Sequence, residues 1–125
     1  MDPRHLQRIK IVQNLFAFSF NLANNLPYSA DKLTKKIIIK IPTIDKLINT
    51  YAPRFPIVHI AKVDLSILRL GIYELIFAKK IPEKVIIDEA IELSKDLSGG
   101  KSYTFINAVL GKVLNQYEKS HKNRG

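Results

Sequence analysis

The stretch LSILRLGIYELIFA, residues 65–78, is apolar on more than one side. Leu65, Leu68, Ile72, Leu75 and Ile76 recur at spacings of three and four, the mark of one helical face, while Ile67, Leu70 and Phe77 carry apolar surface to a second side. Such a helix is central and needs partners on both sides. Fourteen residues with Arg69 and Glu74 among them are too short and too charged to span a bilayer, so the partners are expected from the same chain.

Outward from this helix the pattern stays helical. Downstream, KKIP at 79–82 makes a turn, and a helix over residues 83–97 turns Val85, Ile86, Ala90, Leu93 and Leu97 inward and a solvated acidic face of Asp88, Glu89, Glu92 and Asp96 outward. Gly99 and Gly100 end it. A last helix from about Ser102 to Tyr117 buries Phe105, Ile106, Val109, Leu110 and Val113, and the polar, basic tail from Glu118 is expected to fray. Upstream, a first helix from Arg4 to Asn24 presents Leu6, Ile9, Val12, Leu15, Phe16 and Ala23, and is stopped by NNLP at 24–27. Ser29 caps a second helix from Ala30 to about Lys40, although Ile37 to Ile39 also reads as a short strand. Pro42 is expected to break the chain, with Thr43 capping a short helix through Ile44, Leu47, Ile48 and Tyr51. APRFP at 52–56 is a turn, and Phe55 with Ile57 to Ile60 forms a plug against the central helix. The fold class is all-α, one domain over residues 1–125.

Composition narrows the function. The 125 residues contain no cysteine, which removes disulfides, thiolate metal sites and cysteine nucleophiles. The first residues, MDPRH, lack the apolar core of a signal peptide, so a cytoplasmic protein is expected. The net charge is +9, and residues 1–62 hold ten basic against three acidic side chains, while residues 63–125 hold ten against eight. This excess fits an anionic partner, nucleic acid first, with lysine-rich codon use as the plain competing account. Arg4 and Arg8 share a face of the first helix, with Lys10 flanking.

The string GGKS at 99–102 suggests a phosphate-binding loop, but Lys95 stands where the first glycine belongs and an acidic helix precedes it. What remains is a glycine turn opening a helix, able to hold one phosphate on free N–H groups with Lys101 alongside. Tyr103 and Phe105 add aromatic faces for stacking. His5, His59 and His121 have no ligand partners at helical spacing, and no serine sits in a nucleophile elbow. Neither catalysis, nor metal, nor cofactor is expected.

Three segments, ILRLGIYEL at 67–75, IPEKVIIDEAIELSK at 81–95 and FINAVLGKV at 105–113, together resemble the NusB family of bacterial transcription antitermination factors. The resemblance is close over residues 57–115 and weak over 26–56, where the chain is short. Asp88, Ala108 and Gly111 depart from the family's usual Asn, Gly and Asp. It implies two packed helical bundles, the first shortened, with an arginine-rich amino-terminal motif. It also implies two partners: the single-stranded boxA element of ribosomal RNA leaders, and the ribosomal protein that doubles as NusE, within the transcription elongation complex. Carried onto this chain, Arg4, Arg8 and Lys10 match the arginine motif, more sparsely than usual, and Lys101, Ser102 and Phe105 match the RNA-side loop. Phe16 and Asp64 fall on the side of the ribosomal protein, with Glu74 structural. The alternative is an interaction module of this fold that acts as a dimer or through the ribosomal protein alone, its acidic face Glu89, Glu92 and Asp96 meeting a basic partner.

Overall fold

The structure, a computed structural model, describes residues 2–121. It contains α1 (Pro3–Phe18), α2 (Lys32–Tyr51), a 3-10 turn (Ile57–His59), α3 (Lys62–Ile72) running on into a π-helical turn (Tyr73–Ala78), α4 (Glu83–Leu97) and α5 (Ser102–His121). There is no strand among the described residues. Helix α3 touches all four others, and these touch one another in the order α1, α2, α5, α4 and back to α1. The pair α1–α2 and the pair α4–α5 thus share α3 as their common axis.

That arrangement buries α3 all round. Every residue from Asp64 to Ile72 is buried, and so are Glu74, Leu75 and Ile76 in the π turn. Four of these are polar, and each is satisfied. Arg69 donates from Nε and Nη2 to Asp45 of α2 at 3.1 and 2.8 Å. Glu74 accepts from Nε and Nη2 of Arg8 in α1 at 3.1 and 2.9 Å. Asp64 accepts from the Ser98 hydroxyl, just beyond α4, at 2.7 Å, and Ser66 donates to the Lys62 carbonyl at 2.7 Å. Three buried charges on one helix therefore address three different neighbours, which fixes the rotation of α3 as apolar packing alone does not. Toward α5 the device is steric. A Cβ on Gly71 would lie 3.2 and 3.3 Å from the two methyls of Leu110, so glycine here permits the close approach of α5.

Helix α2 corrects the expected break at Pro42. It is one helix of 20 residues, capped by Asp31 rather than Ser29, with Pro42 inside it. Proline in a helix interior costs about 3 kcal/mol. Against it stand Ile37, Ile41, Ile44 and Ile48, all buried, each contributing about 1.5–3 kcal/mol. Pro42 itself lies on the exposed side, where its ring displaces no core side chain. Burial wins, and the same stripe makes Ile37 to Ile39 helical.

Helix α1 ends at Phe18, six residues before the expected stop. Its inward side chains are His5, Arg8, Ile11, Val12, Asn14 and Leu15, while Leu6 and Phe16 are exposed. The loop that follows is held by buried Asn14, whose amide donates to the Tyr28 carbonyl at 3.0 Å and to Thr34 Oγ1 at 2.9 Å and whose Oδ1 accepts from the Tyr28 N–H at 2.8 Å. On α4, Val85 is exposed rather than inward. Helix α5 continues through Glu118 to His121, past the expected end at Tyr117; residues 122–125 of the expected tail lie outside the described residues.

Candidate nucleic-acid interface

The first two turns of α1 sort their cations by depth. Asp2 caps the helix by accepting the Arg4 N–H at 2.8 Å, and Pro3 follows at a position that needs no N–H donor. Arg4 and Lys10 are exposed, and Lys10 Nζ stands 5.5 Å from the centre of the Tyr28 ring. Arg8, four residues from Arg4, is buried. Besides Glu74 it reaches Glu89 Oε1 of α4 through Nη1 at 3.3 Å. His5 is buried beside it, its Nε2 2.6 Å from Asp96 Oδ2 and its Nδ1 3.3 Å from both Glu89 oxygens. The hydrogen bond to Asp96 foremost, against desolvation and helped by Glu89, raises the imidazole pKa above its ordinary value.

The acidic face of α4 is therefore not simply solvated. Glu89 and Asp96 bind His5 and Arg8 of α1 in the same chain, so part of this face is already met by basic side chains. Glu92 stays exposed. Because Asp96 lies three residues before Gly99, the contact also ties the start of α1 to the end of α4.

At the turn between α4 and α5, Gly99 and Gly100 have φ of 70° and 59°, with nothing within 4 Å of either added Cβ. Backbone shape, not crowding, requires glycine here. Lys101 is exposed, Ser102 opens α5 half-buried, and Lys95 Nζ lies 5.2 Å from the Tyr103 ring centre. Phe105 is half-buried and meets Phe55 edge to face, centroids 5.0 Å apart. Both line an open cleft of about 410 Å³ with Arg54, His59 and Asp64. Asp64 thus shares this cleft with Phe105. Phe16 belongs to a separate exposed patch, edge to face with Phe20 at 5.0 Å, with Lys62 Nζ 5.2 Å from the Phe20 ring centre.

Sequence reading missed the depth of His5 and Arg8. A signal was present: residues 5, 8, 12 and 15 fall on the helical stripe that carries Val12 and Leu15 into the core. Among the described residues no group of three or more His, Cys, Asp or Glu side chains is placed to hold a metal ion, and no helix is long and apolar enough to cross a membrane.

Fold and site together define an all-helical domain that displays exposed cations at a helix start and at a glycine turn. The NusB family model matches residues 6–115. The chain belongs to the NusB family. It is 55% identical over 71 residues to the transcription antitermination protein NusB of Clostridium botulinum (strain Kyoto / Type A2), a segment covering 57% of this chain and 50% of that protein. With the NusB protein of Clostridium perfringens (strain SM101 / Type A) it shares 50% over 70 residues, covering 56% and 52%. The matched segment thus spans about half the length of these relatives. Over nearly the whole chain it resembles the solved structure of T. maritima NusB, with a TM-score of 0.74, 32% identity and coverage of 91% and 92%. It also shares the fold of NusB in a crystal structure of antitermination factors NusB and NusE with dsRNA, at a TM-score of 0.68, 22% identity and coverage of 93% and 100%.

Proposed function

We propose that this protein is a cytoplasmic, non-enzymatic RNA-binding antitermination factor. It binds boxA-type single-stranded RNA of ribosomal RNA operons together with a NusE-type ribosomal protein, within the elongation complex. The reading is carried by the placement of Arg4, Lys10 and Lys101: all three are exposed, on elements joined by the His5–Asp96 contact, in a chain of the NusB family. Ser102 and Phe105 stand at the start of α5, next to Lys101, and complete the proposed RNA side. Arg8 is reassigned. Its guanidinium holds α1 against Glu74 and Glu89 and positions Arg4 and Lys10 rather than meeting phosphate.

Phosphate contacts release counterions, so RNA affinity is expected to fall as salt rises. Replacing Arg4 and Lys101 together by alanine should weaken boxA-type RNA and flatten the plot of log K against log salt by roughly 0.7 per cation removed. A salt-independent wild-type affinity, or an unchanged slope in the variant, rejects the reading.

One observation favours a second reading, a protein-interaction module acting as a homodimer or on the ribosomal protein alone: Phe16, Phe20, Leu22 and Val58 are large apolar side chains left exposed. Capture of a purified NusE-type protein without RNA, lost on Phe16→Ser with Phe20→Ser, supports this second reading where the wild type also leaves RNA unbound.

A further inference from the structure

The outward face of α2 carries Lys32, Lys35, Lys36, Lys40 and Lys46, all exposed. At 100° per residue these five occupy an arc opposite the buried stripe of Thr34, Ile37, Ile41, Ile44 and Ile48. Ile39, 75% exposed, lies amid the lysines and marks the direction away from the core. The face holds no carboxylate. The one acid inside the helix, Asp45, points to Arg69, and the capping Asp31 accepts from Thr34. None of the five lysines forms an ion pair among the described residues, and only Lys40 has an aromatic neighbour, Phe77 at 5.3 Å. Lys32, Lys36 and Lys40 follow one another roughly every 6 Å along the axis, and the row to Lys46 extends about 21 Å.

We propose that this face is a second RNA-binding surface, taking the sugar–phosphate backbone of a single strand without regard to sequence. It adds to the contact made by Arg4 and Lys101, and in this it rests on the RNA-binding reading above. Charge complementarity commits the partner. A row of uncompensated ammonium groups on a rigid helix fits a chain of evenly spaced phosphates, and lysine meets phosphate as a point charge with little demand on geometry. A face so built supplies affinity and salt dependence, not base selection.

The test uses the full chain and a 20-nucleotide oligouridine, titrated across a range of salt. Substituting Lys32→Gln, Lys36→Gln and Lys46→Gln together keeps helix propensity and removes three charges. The slope of log K against log salt should flatten by about 2, and affinity at low salt should drop at least tenfold. The Arg triple at the same positions should restore both, which separates charge from any loss of fold. An unchanged slope in the Gln triple overturns the inference. So does binding to vesicles of anionic lipid that the Gln triple abolishes while leaving RNA affinity intact. Should the Arg4 and Lys101 variant lose boxA-type RNA while the Gln triple binds oligouridine normally, the function above stands and this surface falls; wild-type protein that binds neither RNA removes both.

Discussion

Helices α1 and α2 are both basic in sequence, yet their charges have different fates. On α1, His5 and Arg8 fall on the stripe that faces the core and are neutralised by Glu74, Glu89 and Asp96. On α2, the stripe is filled chiefly by isoleucine and the lysines are left on the far side, none of them in an ion pair among the described residues. Formal charge counts both helices alike. What differs is the phase of each cation relative to the apolar period, and that phase decides whether a charge holds the fold together or remains available to a ligand.

The comparison breaks most visibly at Arg8. Arg8→Ala would leave Glu74 buried without its partner in the π-helical turn that continues α3, a change expected to cost about 3–5 kcal/mol, whereas Lys36→Ala should leave stability as it was. Urea unfolding of the two variants beside wild type measures the contrast. If Arg8→Ala unfolds with the wild-type midpoint and loses RNA affinity instead, Arg8 contacts ligand and the division between the helices fails.

A smaller effect is expected from the other helix. If α2 is held by its isoleucine stripe despite Pro42, then Pro42→Ala restores a backbone donor and should stabilise the protein by about 1–3 kcal/mol, less a fraction returned because alanine loosens the unfolded chain. The thermal midpoint should rise. A fall would mean that the proline shapes the helix in a way the packing requires.

These residues also show how far the sequence could be read. The stripes of α4 and α5 and the all-round burial of residues 65–72 follow from periodicity, because many apolar side chains vote together. Pro42 misled because a local steric rule was weighed without the period running through it: Ile37, Ile41, Ile44 and Ile48 keep their phase across the proline. The ion pairs were hidden for another reason. Glu74 and Glu89 lie 66 and 81 positions from Arg8, and nothing in the spacing of the chain states which buried cation will meet which buried anion. The candidate site was legible by residue type at Arg4, Lys10 and Lys101. Its division into exposed and buried charge, and the sharing of one cleft by Asp64 and Phe105, depended on tertiary placement.

The smallest effect lies in the pH response of the α1 anchor. The His5 imidazole is raised above its ordinary pKa of about 6.5, first by its hydrogen bond to Asp96 and, against burial, by Glu89 as well. A raised folded-state value means that the native protein binds this proton more tightly than the unfolded chain does. The contribution is therefore complete below about pH 6.5 and is lost as pH rises through the folded value. The urea midpoint should decline over that window in the wild type, and His5→Ala should remove the decline along with the stability beneath it. Following the imidazole carbon-bound protons by NMR gives the pKa directly: a value above 6.5 that drops in Asp96→Asn places the proton between α1 and α4. A value at or below 6.5 would mean that His5 is buried neutral, and that Arg8 is the only cation clamping α1 to its acidic neighbours.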